Sequence, residues 1–376
     1  MPRSILFLGA TGYIGSTVLA AILAADKESS SFTVLARNPT VLKGFEAIDS
    51  RIKGVQGSLD DHAALSKLAS EHDIVFNLAD ADGVESTKAI LRGLKTRHEA
   101  TGTRPILIHT SGTGVLSDNA AGEYPGTEVF TDAEAEPSAN PPLLPISALA
   151  PARFHRQVDL EIENADRAGY VYTYIIIPST IYGISKTVFS DKGLANPQSQ
   201  QIPHITRFGI ERGVPAQFGQ GLNLWPNVEV HDLADLYALV YNAAIAGPGD
   251  HGENGYYFGA SGEHQLKDVY AAIGKELYAL KLVSTPEPRT LDKDELKRFT
   301  NGSVYLGSNS RARAVHSARL GWKPKNVGNE PFIASIKEDV DWTASHDRGR
   351  GADGKFAFGP GPVRVEDGGA GGWTKP

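Results

Sequence analysis

The chain has 376 residues, of which 41% are hydrophobic and 22% are charged, a composition typical of a folded protein with a large buried core. Its formal net charge of −7 offers no basic surface for a nucleic-acid backbone, so we expect no nucleic-acid partner. The chain contains no cysteine, which excludes disulfides, thiolate metal sites and a cysteine nucleophile.

In chain order, strand patterns alternate with helix patterns through the first half of the sequence. This alternation predicts a parallel sheet covered by helices on both faces. Because such crossovers are right-handed, the predicted fold is α/β, a doubly wound parallel Rossmann sheet. The predicted strands lie at 4–9, 32–36, 51–57, 73–79, 104–110, 170–178 and 255–260.

The stretch 5–25 is largely apolar, so a targeting segment or a membrane span has to be weighed. Gly9, Gly12 and Gly15 interrupt it at regular spacing, which favours a buried strand, a turn and a buried helix. We therefore expect no membrane association and a cytoplasmic location.

The sequence GATGYIG at 9–15 follows the first predicted strand and opens the first helix. Glycines at such a turn let backbone N–H groups approach a pyrophosphate, and the helix N-terminus adds a favourable partial charge. A tight turn without a ligand is the alternative. The surrounding strand–helix–strand unit favours dinucleotide binding.

The second strand ends at Arg37 and Asn38, where NAD-binding proteins of this type place a carboxylate against the ribose 2′-hydroxyl. An arginine there suits a 2′-phosphate through a charge-assisted contact. The other interpretation is a solvated surface arginine. These residues favour NADP as the cofactor, with NAD less favoured.

With these motifs in this order, the chain resembles the short-chain dehydrogenase/reductase superfamily, in its extended or atypical, epimerase/dehydratase-like branch. The resemblance spans about residues 4–325. The matching segments are GATGYIG (9–15), GSLDD (57–61), NLA (77–79), HTSGTGV (109–115), IIIPSTIYG (175–183), VEVHDLADLY (228–237) and ARLGW (318–322).

The resemblance implies that the glycine-rich turn lines the pyrophosphate, while later segments face the adenine, the ribose and the nicotinamide in turn. Ser58 stands where the family usually has an aspartate. The residues implied to bind cofactor are Gly9, Thr11, Gly12, Tyr13, Ile14, Ser58, Leu59, Asn77, Leu78, Ala79, Pro178, Ser179 and Ile181.

The family pairs a Ser or Thr after the fifth strand with Tyr-x-x-x-Lys on the next long helix. Ser111 and Thr113 bracket the expected hydroxyl position, and either would orient a substrate carbonyl. A turn hydroxyl bonded to backbone is the alternative for both.

The Tyr-x-x-x-Lys pattern itself is missing from the helix predicted at about 150–168, which contains ARFHRQVDLEIE. His155 and Asp159 keep the four-residue spacing, and helical geometry would place both on one rim of the buried face. The carboxylate would favour a protonated histidine, an acid suited to protonating an alkoxide as hydride arrives. A helix-stabilising His–Asp pair is the alternative.

We expect the chain to divide into three parts, of which the resemblance implies the first two and the composition indicates the third. We expect a Rossmann domain, a smaller C-terminal substrate lobe, and a glycine-rich tail too poor in apolar residues to fold alone. The Rossmann domain would be 1–183 with 227–260 returning to it, the lobe 184–226 with 261–344, and the tail 345–376.

The main functional hypothesis is an NADP-dependent oxidoreductase that transfers a hydride between nicotinamide and a small carbonyl or alcohol, with a non-standard acid/base group. One alternative is a non-catalytic NAD(P)-sensing regulatory protein, and another is an epimerase, dehydratase or isomerase on the same scaffold. The scattered histidines show no metal-ligand spacing, so no metal site is expected. By family analogy a homodimer is expected.

Overall fold

The computed structural model describes residues 2–26, 30–346, 363–364 and 373–374 of the chain. Within this part, short strands form small sheets around one large central sheet. The strands are β1 Ser4–Leu8, β2 Ser31–Ala36, β3 Ile52–Gln56, β4 Ile74–Asn77, β5 Ile106–Thr110, β6 Val129–Thr131, β7 Leu143–Pro145, β8 Tyr172–Pro178, β9 Thr180–Tyr182, β10 Ala216–Gln217, β11 Leu224–Glu229, β12 Tyr256–Gly259, β13 Gly262–Gln265, β14 Arg289–Thr290, β15 Ala312–Arg313, β16 Val363–Arg364 and β17 Trp373–Thr374.

In the described residues the central sheet has seven strands in the order β12-β8-β5-β4-β1-β2-β3, and every neighbouring pair is parallel. The chain runs outward from β1 to β3, then returns to β4 on the other side of β1. Ligands of open α/β sheets bind at such a reversal, outside the carboxyl ends of the strands. The predicted doubly wound sheet is confirmed, and each predicted strand falls on one of its members.

Helices cover both faces of this sheet, as the sequence pattern predicts. Single 3₁₀ turns at 113–116, 146–148, 252–254 and 305–307 connect some elements. The helices are α1 Tyr13–Ala25, α2 Pro39–Ile48, α3 His62–Ser70, α4 Val84–Thr101, α5 Arg156–Arg167, α6 Val188–Asp191, α7 Gln201–Arg212, α8 Val230–Ala246, α9 Leu266–Ala279, α10 Lys293–Thr300, α11 Val315–Arg319 and α12 Glu330–Ser345.

Two apolar cores lie on opposite faces of the sheet. Along β1, Ile5 and Phe7 belong to a first core with α1, α2 and α8, where Ile14 also packs. Leu6 and Leu8 belong to a second core with α3, α4 and α5. Because alternate residues of a strand face opposite sides, a strand buried on both faces reads as one continuous apolar run.

A third core lies apart from the sheet, among α7, α9 and α12, and includes Phe208, Tyr270 and Ile336. The stretch expected to build a smaller lobe therefore has an apolar core of its own. The boundaries of that lobe remain a prediction. The expected glycine-rich tail falls mostly outside the described residues.

The sequence of 112–150 lacks periodicity, which is typical of a long loop. The structure instead places β6 and β7 there, parallel to one another, with β15 pairing beside β6. Each of these strands is only two or three residues long, which is too short to leave a periodic pattern in the sequence.

The burial of the Asp339 carboxyl on α12 makes the stability of the fold depend on pH. It is 1% exposed, and burial raises the pKa of its carboxyl to about 7, with Gln198 opposing this shift and Glu338 adding to it. An unfolded aspartate has a pKa of about 3.9. The folded state thus retains a proton that the unfolded chain releases, so stability is full below about pH 4 and falls as pH rises toward 7.

We expect Asp339→Asn, which cannot ionise, to raise the free energy of unfolding by roughly 4 kcal/mol at pH 8 and not at pH 4. Thermal unfolding of both proteins at several pH values measures this. Asp341→Asn, on the same helix but at a carboxyl that binds Lys337 at the surface, should show no such pH-dependent gain. An Asp339→Asn effect that is equal at the two pH values would contradict the explanation.

Candidate functional site

The glycine-rich turn joins β1 to α1 at the point where the strand order reverses. Gly9 has a φ of +91°, and the Gly12 N–H donates to the Gly9 carbonyl at 2.9 Å. A Cβ on Gly9 would lie 2.6 Å from the Leu78 carbonyl carbon and 2.8 Å from the Ala79 nitrogen. A Cβ on Gly15 would overlap the Gly9 carbonyl oxygen. The turn is therefore tight enough that these positions require glycine.

The N-terminus of α1 is suited to bind an anion. No side chain of the described residues caps it at Gly12, so the first-turn N–H groups stay available, with the positive end of the helix dipole behind them. The Asn196 N–H donates to the Thr11 carbonyl at 3.0 Å, and the Tyr13 hydroxyl donates to the Gly183 carbonyl at 2.6 Å. These residues fit the pyrophosphate of a dinucleotide.

The side chains expected at the adenosine end follow β2 and β3. Arg37 is exposed, and its guanidinium forms no ion pair with the described part of the chain. The Asn38 side-chain oxygen caps α2, accepting from an N–H at 2.9 Å. The Ser58 hydroxyl donates to Asp60 at 2.9 Å, while Leu59 packs against the second core. The arginine is thus the side chain here that is best placed to meet a phosphate.

Asn77 ends β4 and is 2% exposed. Its amide donates to Nδ1 of His109 at 3.1 Å. Burial, together with the charge of His155, lowers the pKa of His109 to about 3, while Asp82 opposes this shift. His109 is therefore neutral at physiological pH. Since the Asn77 amide contacts this ring, its side chain positions His109 beneath the site.

The segment expected beside the nicotinamide lies at the end of β8. Pro178 is the last residue of that strand, and both the N–H and the hydroxyl of Ser179 donate to the Gly259 carbonyl, at 3.0 Å and 2.7 Å. Ile181 packs against the first core. These contacts join β8 to β12 and fix the edge on which a nicotinamide would rest.

The turn after β5 carries the two candidate hydroxyls in different roles. The Ser111 hydroxyl donates to Asp159 Oδ2 at 3.1 Å. Thr113 is 1% exposed, and its hydroxyl has no hydrogen-bond partner within the described ranges. The Thr113 carbonyl accepts from the Ser310 hydroxyl at 2.7 Å. The Ser111 hydroxyl is therefore hydrogen-bonded to Asp159, whereas the Thr113 hydroxyl remains able to form a hydrogen bond to a bound molecule.

The expected helical pairing of His155 with Asp159 is wrong. The helix α5 begins at Arg156, after a series of turns that follows Pro151. His155 has a φ of +64°, a left-handed backbone that an α-helix does not contain. The histidine therefore precedes the helix, and its Nδ1 lies 2.7 Å from Oδ1 of Asp82 instead.

Asp82 and His155 together form a dyad with acid/base geometry. Asp82 lies between β4 and α4, and its N–H donates to the Asp80 carboxylate at 2.9 Å. When Nδ1–H of His155 donates to Asp82, Nε2 is left to exchange a proton. A Cβ on Gly112 or on Gly114 would lie 3.2 Å from this Nε2. The imidazole therefore faces the turn that carries Ser111 and Thr113. A carboxylate that orients a histidine is a usual arrangement for an activated proton donor or acceptor.

Asp159 is fully buried below this dyad. Burial raises the pKa of its carboxyl to about 6, against the opposing effects of His155, the Ser111 hydrogen bond and Arg156. Arg156 is also buried and donates to the Tyr256 hydroxyl at 2.6 Å. Asp159 thus holds Ser111 and adds negative charge beneath the site, and the carboxylate that contacts the histidine is Asp82.

This fold, with its glycine-rich turn at the strand reversal, defines an extended short-chain dehydrogenase/reductase. The family model of the NAD dependent epimerase/dehydratase family matches residues 5–252, and the chain belongs to that family. The expected resemblance is confirmed, and the chain is an enzyme of the NAD(P)-dependent extended type.

Among similar proteins, the oxidase ucsJ of an Acremonium species is 30% identical over 86% of this chain and 93% of its own length. An uncharacterized protein of Schizosaccharomyces pombe is 25% identical over 85% of this chain and 94% of its own.

Among solved structures, the dTDP-glucose 4,6-dehydratase DesIV of Streptomyces venezuelae, with NAD and TYD bound, has a TM-score of 0.61 at 18% identity, covering 91% of this chain and 97% of that one. The UDP-glucuronic acid 4-epimerase of Bacillus cereus has a TM-score of 0.58 at 15% identity, covering 91% and 99%. Both support the fold.

Two features are absent from the part of the chain that the structure describes. Where the chain is described, no helix is both long and apolar enough to cross a membrane. Over the same ranges, no group of three or more His, Asp or Glu side chains is placed to hold a metal ion.

Proposed function

We propose that the protein is an NADP-dependent oxidoreductase that transfers a hydride between nicotinamide and a small carbonyl or alcohol substrate. The observation that carries this proposal is the Asp82–His155 dyad, with Nδ1 and Oδ1 at 2.7 Å. It lies at the carboxyl edge of the sheet, where the family places its tyrosine and lysine. The oxidase named among the relatives supports a redox reaction.

When bound, the reduced cofactor supplies a hydride to the carbonyl carbon of the substrate. His155 donates its Nε2 proton to the substrate oxygen as negative charge develops there, and it regains a proton from solvent. Asp82 accepts a hydrogen bond from Nδ1–H and keeps the ring in position. In the reverse direction His155 accepts the proton of the alcohol.

The two candidate hydroxyls differ in their suitability to bind the substrate oxygen. Ser111 donates its only hydroxyl proton to Asp159. The Thr113 hydroxyl, which lacks a partner in the described chain, has its proton available for a carbonyl oxygen. Within this proposal Thr113 orients the carbonyl, and Ser111 with Asp159 supports the turn.

Steady-state oxidation of NADPH in the presence of small aliphatic aldehydes, aromatic aldehydes, ketones and quinones tests the proposed activity. At least one class should be turned over. NADPH that binds without turnover of any class would contradict the proposal and favour the sensing protein. NAD⁺-dependent conversion of a sugar nucleotide would favour the epimerase or dehydratase, the activity named for the two solved structures. The homodimer and the cytoplasmic location remain predictions.

We expect Arg37→Ala to weaken NADPH binding by about tenfold while changing NADH binding less than about twofold, since the guanidinium would bind only the 2′-phosphate. Calorimetric titration of wild type and Arg37→Ala with NADPH and with NADH measures this. Arg92→Ala, at an exposed arginine on α4, is the matched control. Equal weakening of the two cofactors would show that Arg37 does not select the phosphate.

A further inference from the structure

Tyr305 belongs to the 3₁₀ turn at 305–307, far along the chain from the dyad. Its ring packs edge-on against Phe154, with centroids 5.7 Å apart, and edge-on against Trp225 at 5.6 Å. Phe154 in turn lies against the imidazole of His155, with centroids 3.7 Å apart. The tyrosine therefore belongs to an aromatic cluster that surrounds the dyad.

The Tyr305 hydroxyl and the His155 ring converge on the same place. A Cβ on Gly114 would overlap the Tyr305 hydroxyl oxygen and would lie 3.2 Å from Nε2 of His155. Both polar atoms reach the turn after β5 because that residue has no side chain. A substrate oxygen that lies within reach of Nε2 is therefore also close to the phenol.

Hydrogen bonds join the segment that carries Tyr305 to the residues that follow β5, and another lies within the segment. The Ser310 hydroxyl donates to the Thr113 carbonyl at 2.7 Å. The Asn309 N–H donates to Asp118 at 2.7 Å, and the Ser308 hydroxyl donates to the Tyr305 carbonyl at 2.7 Å. These contacts hold the phenol in place, as a group that stabilises developing charge requires.

We propose that Tyr305 is a further catalytic residue, whose hydroxyl donates a hydrogen bond to the substrate oxygen opposite His155. This inference rests on the proposed carbonyl–alcohol reaction. His155 transfers its proton to the oxygen, while Tyr305 keeps its own and stabilises the negative charge that forms as the carbonyl π bond opens.

The surroundings of the Tyr305 hydroxyl favour its role as a hydrogen-bond donor. Burial raises the pKa of Tyr305, and the charge of Asp82 raises it further. The group therefore stays protonated across the working pH range and acts as a hydrogen-bond donor.

The test compares wild type, Tyr305→Phe and Tyr278→Phe, with 9,10-phenanthrenequinone and 4-nitrobenzaldehyde as carbonyl probes and NADPH as the reductant. Tyr305→Phe keeps the ring and removes only the hydroxyl. We expect kcat to fall by about 100-fold, as for loss of one donor to a developing oxyanion. KM and the Kd for NADPH should stay within about threefold. Tyr278 is 51% exposed, and its variant should behave like wild type.

A second variant covers the case in which Tyr305→Phe does not fold. Gly114→Ala leaves the tyrosine in the chain but places a methyl group where its hydroxyl lies, so the same loss of kcat is expected. Wild-type kcat in either folded variant would overturn the role of Tyr305 and leave the proposed function intact. Wild-type protein that binds NADPH but reduces neither probe would count against the proposed function and against this inference together.

Discussion

Replacing His155 by alanine should lower the kcat for carbonyl reduction by about 100- to 1000-fold while the Kd for NADPH stays within a few-fold, because the imidazole exchanges the substrate proton and does not hold the dinucleotide. Stopped-flow NADPH oxidation and calorimetry measure the two quantities separately. The expectation depends on the 2.7 Å contact between Nδ1 and Asp82, which directs Nε2 toward the substrate side.

Two companion variants make this result specific. Asp82→Asn keeps the shape of the side chain but removes its charge, so we expect a smaller fall in kcat, about tenfold. His98→Ala, at a histidine on α4 whose ring contacts the Thr103 carbonyl, should leave both quantities unchanged. Wild-type turnover in His155→Ala would rule out the dyad as the acid/base group.

Replacing Gly15 by alanine should weaken NADPH binding by at least about 100-fold, the second large effect that the structure predicts. Its Cβ would overlap the Gly9 carbonyl oxygen, so the turn and the first turn of α1 must move apart. The N–H groups that would bind the pyrophosphate then lose their common direction. Calorimetric titration with NADPH measures the loss.

The matched control is Gly247→Ala. A Cβ there meets nothing within 4 Å, and the φ of 169° is extended backbone that alanine adopts freely. Circular dichroism and thermal unfolding establish that both variants are folded. If folded Gly15→Ala binds NADPH as tightly as wild type, the glycine-rich turn is not the pyrophosphate site.

The strands of the central sheet are predictable from sequence because each is a short apolar run bounded by turn residues, and β1 and β8 are buried on both faces. The start of α5 is not. Residues 152–155 fit a helical pattern, but the turns after Pro151 and the positive φ of His155 end that pattern before Arg156. Local periodicity cannot report a backbone conformation that tertiary contacts impose.

The glycine-rich turn and the candidate acid/base group differ in the same way in how far the sequence predicts them. The glycine-rich turn is recognisable because all its atoms come from one contiguous stretch. Asp82 and Tyr305 were missed because their place beside His155 depends on how distant segments pack. An acidic residue soon after the fourth strand was the one available signal for Asp82, since such loops open at the carboxyl edge of the sheet. Nothing in the spacing of the sequence indicated Tyr305.

Other residues occupy the places of the family's Tyr-x-x-x-Lys pattern in this chain. His155 stands in the place of the tyrosine and contacts Asp82. Asp159 stands in the place of the lysine, where it is buried and hydrogen-bonded to Ser111. Neither provides the positive charge of a lysine next to a tyrosine. The Asp82–His155 dyad nevertheless lies at the expected edge of the sheet, and its acid/base geometry favours altered chemistry over loss of catalysis.

The most direct test of the central claim is a calorimetric titration of the purified protein with NADPH, NADP⁺, NADH and NAD⁺ under identical conditions. We predict saturable binding of one molecule per chain, with the two phosphorylated cofactors binding more tightly than the other two and NADPH binding most tightly. Absence of binding for all four would contradict the assignment of the carboxyl edge as a dinucleotide site. Equal binding of NAD⁺ and NADP⁺ would contradict the role of Arg37.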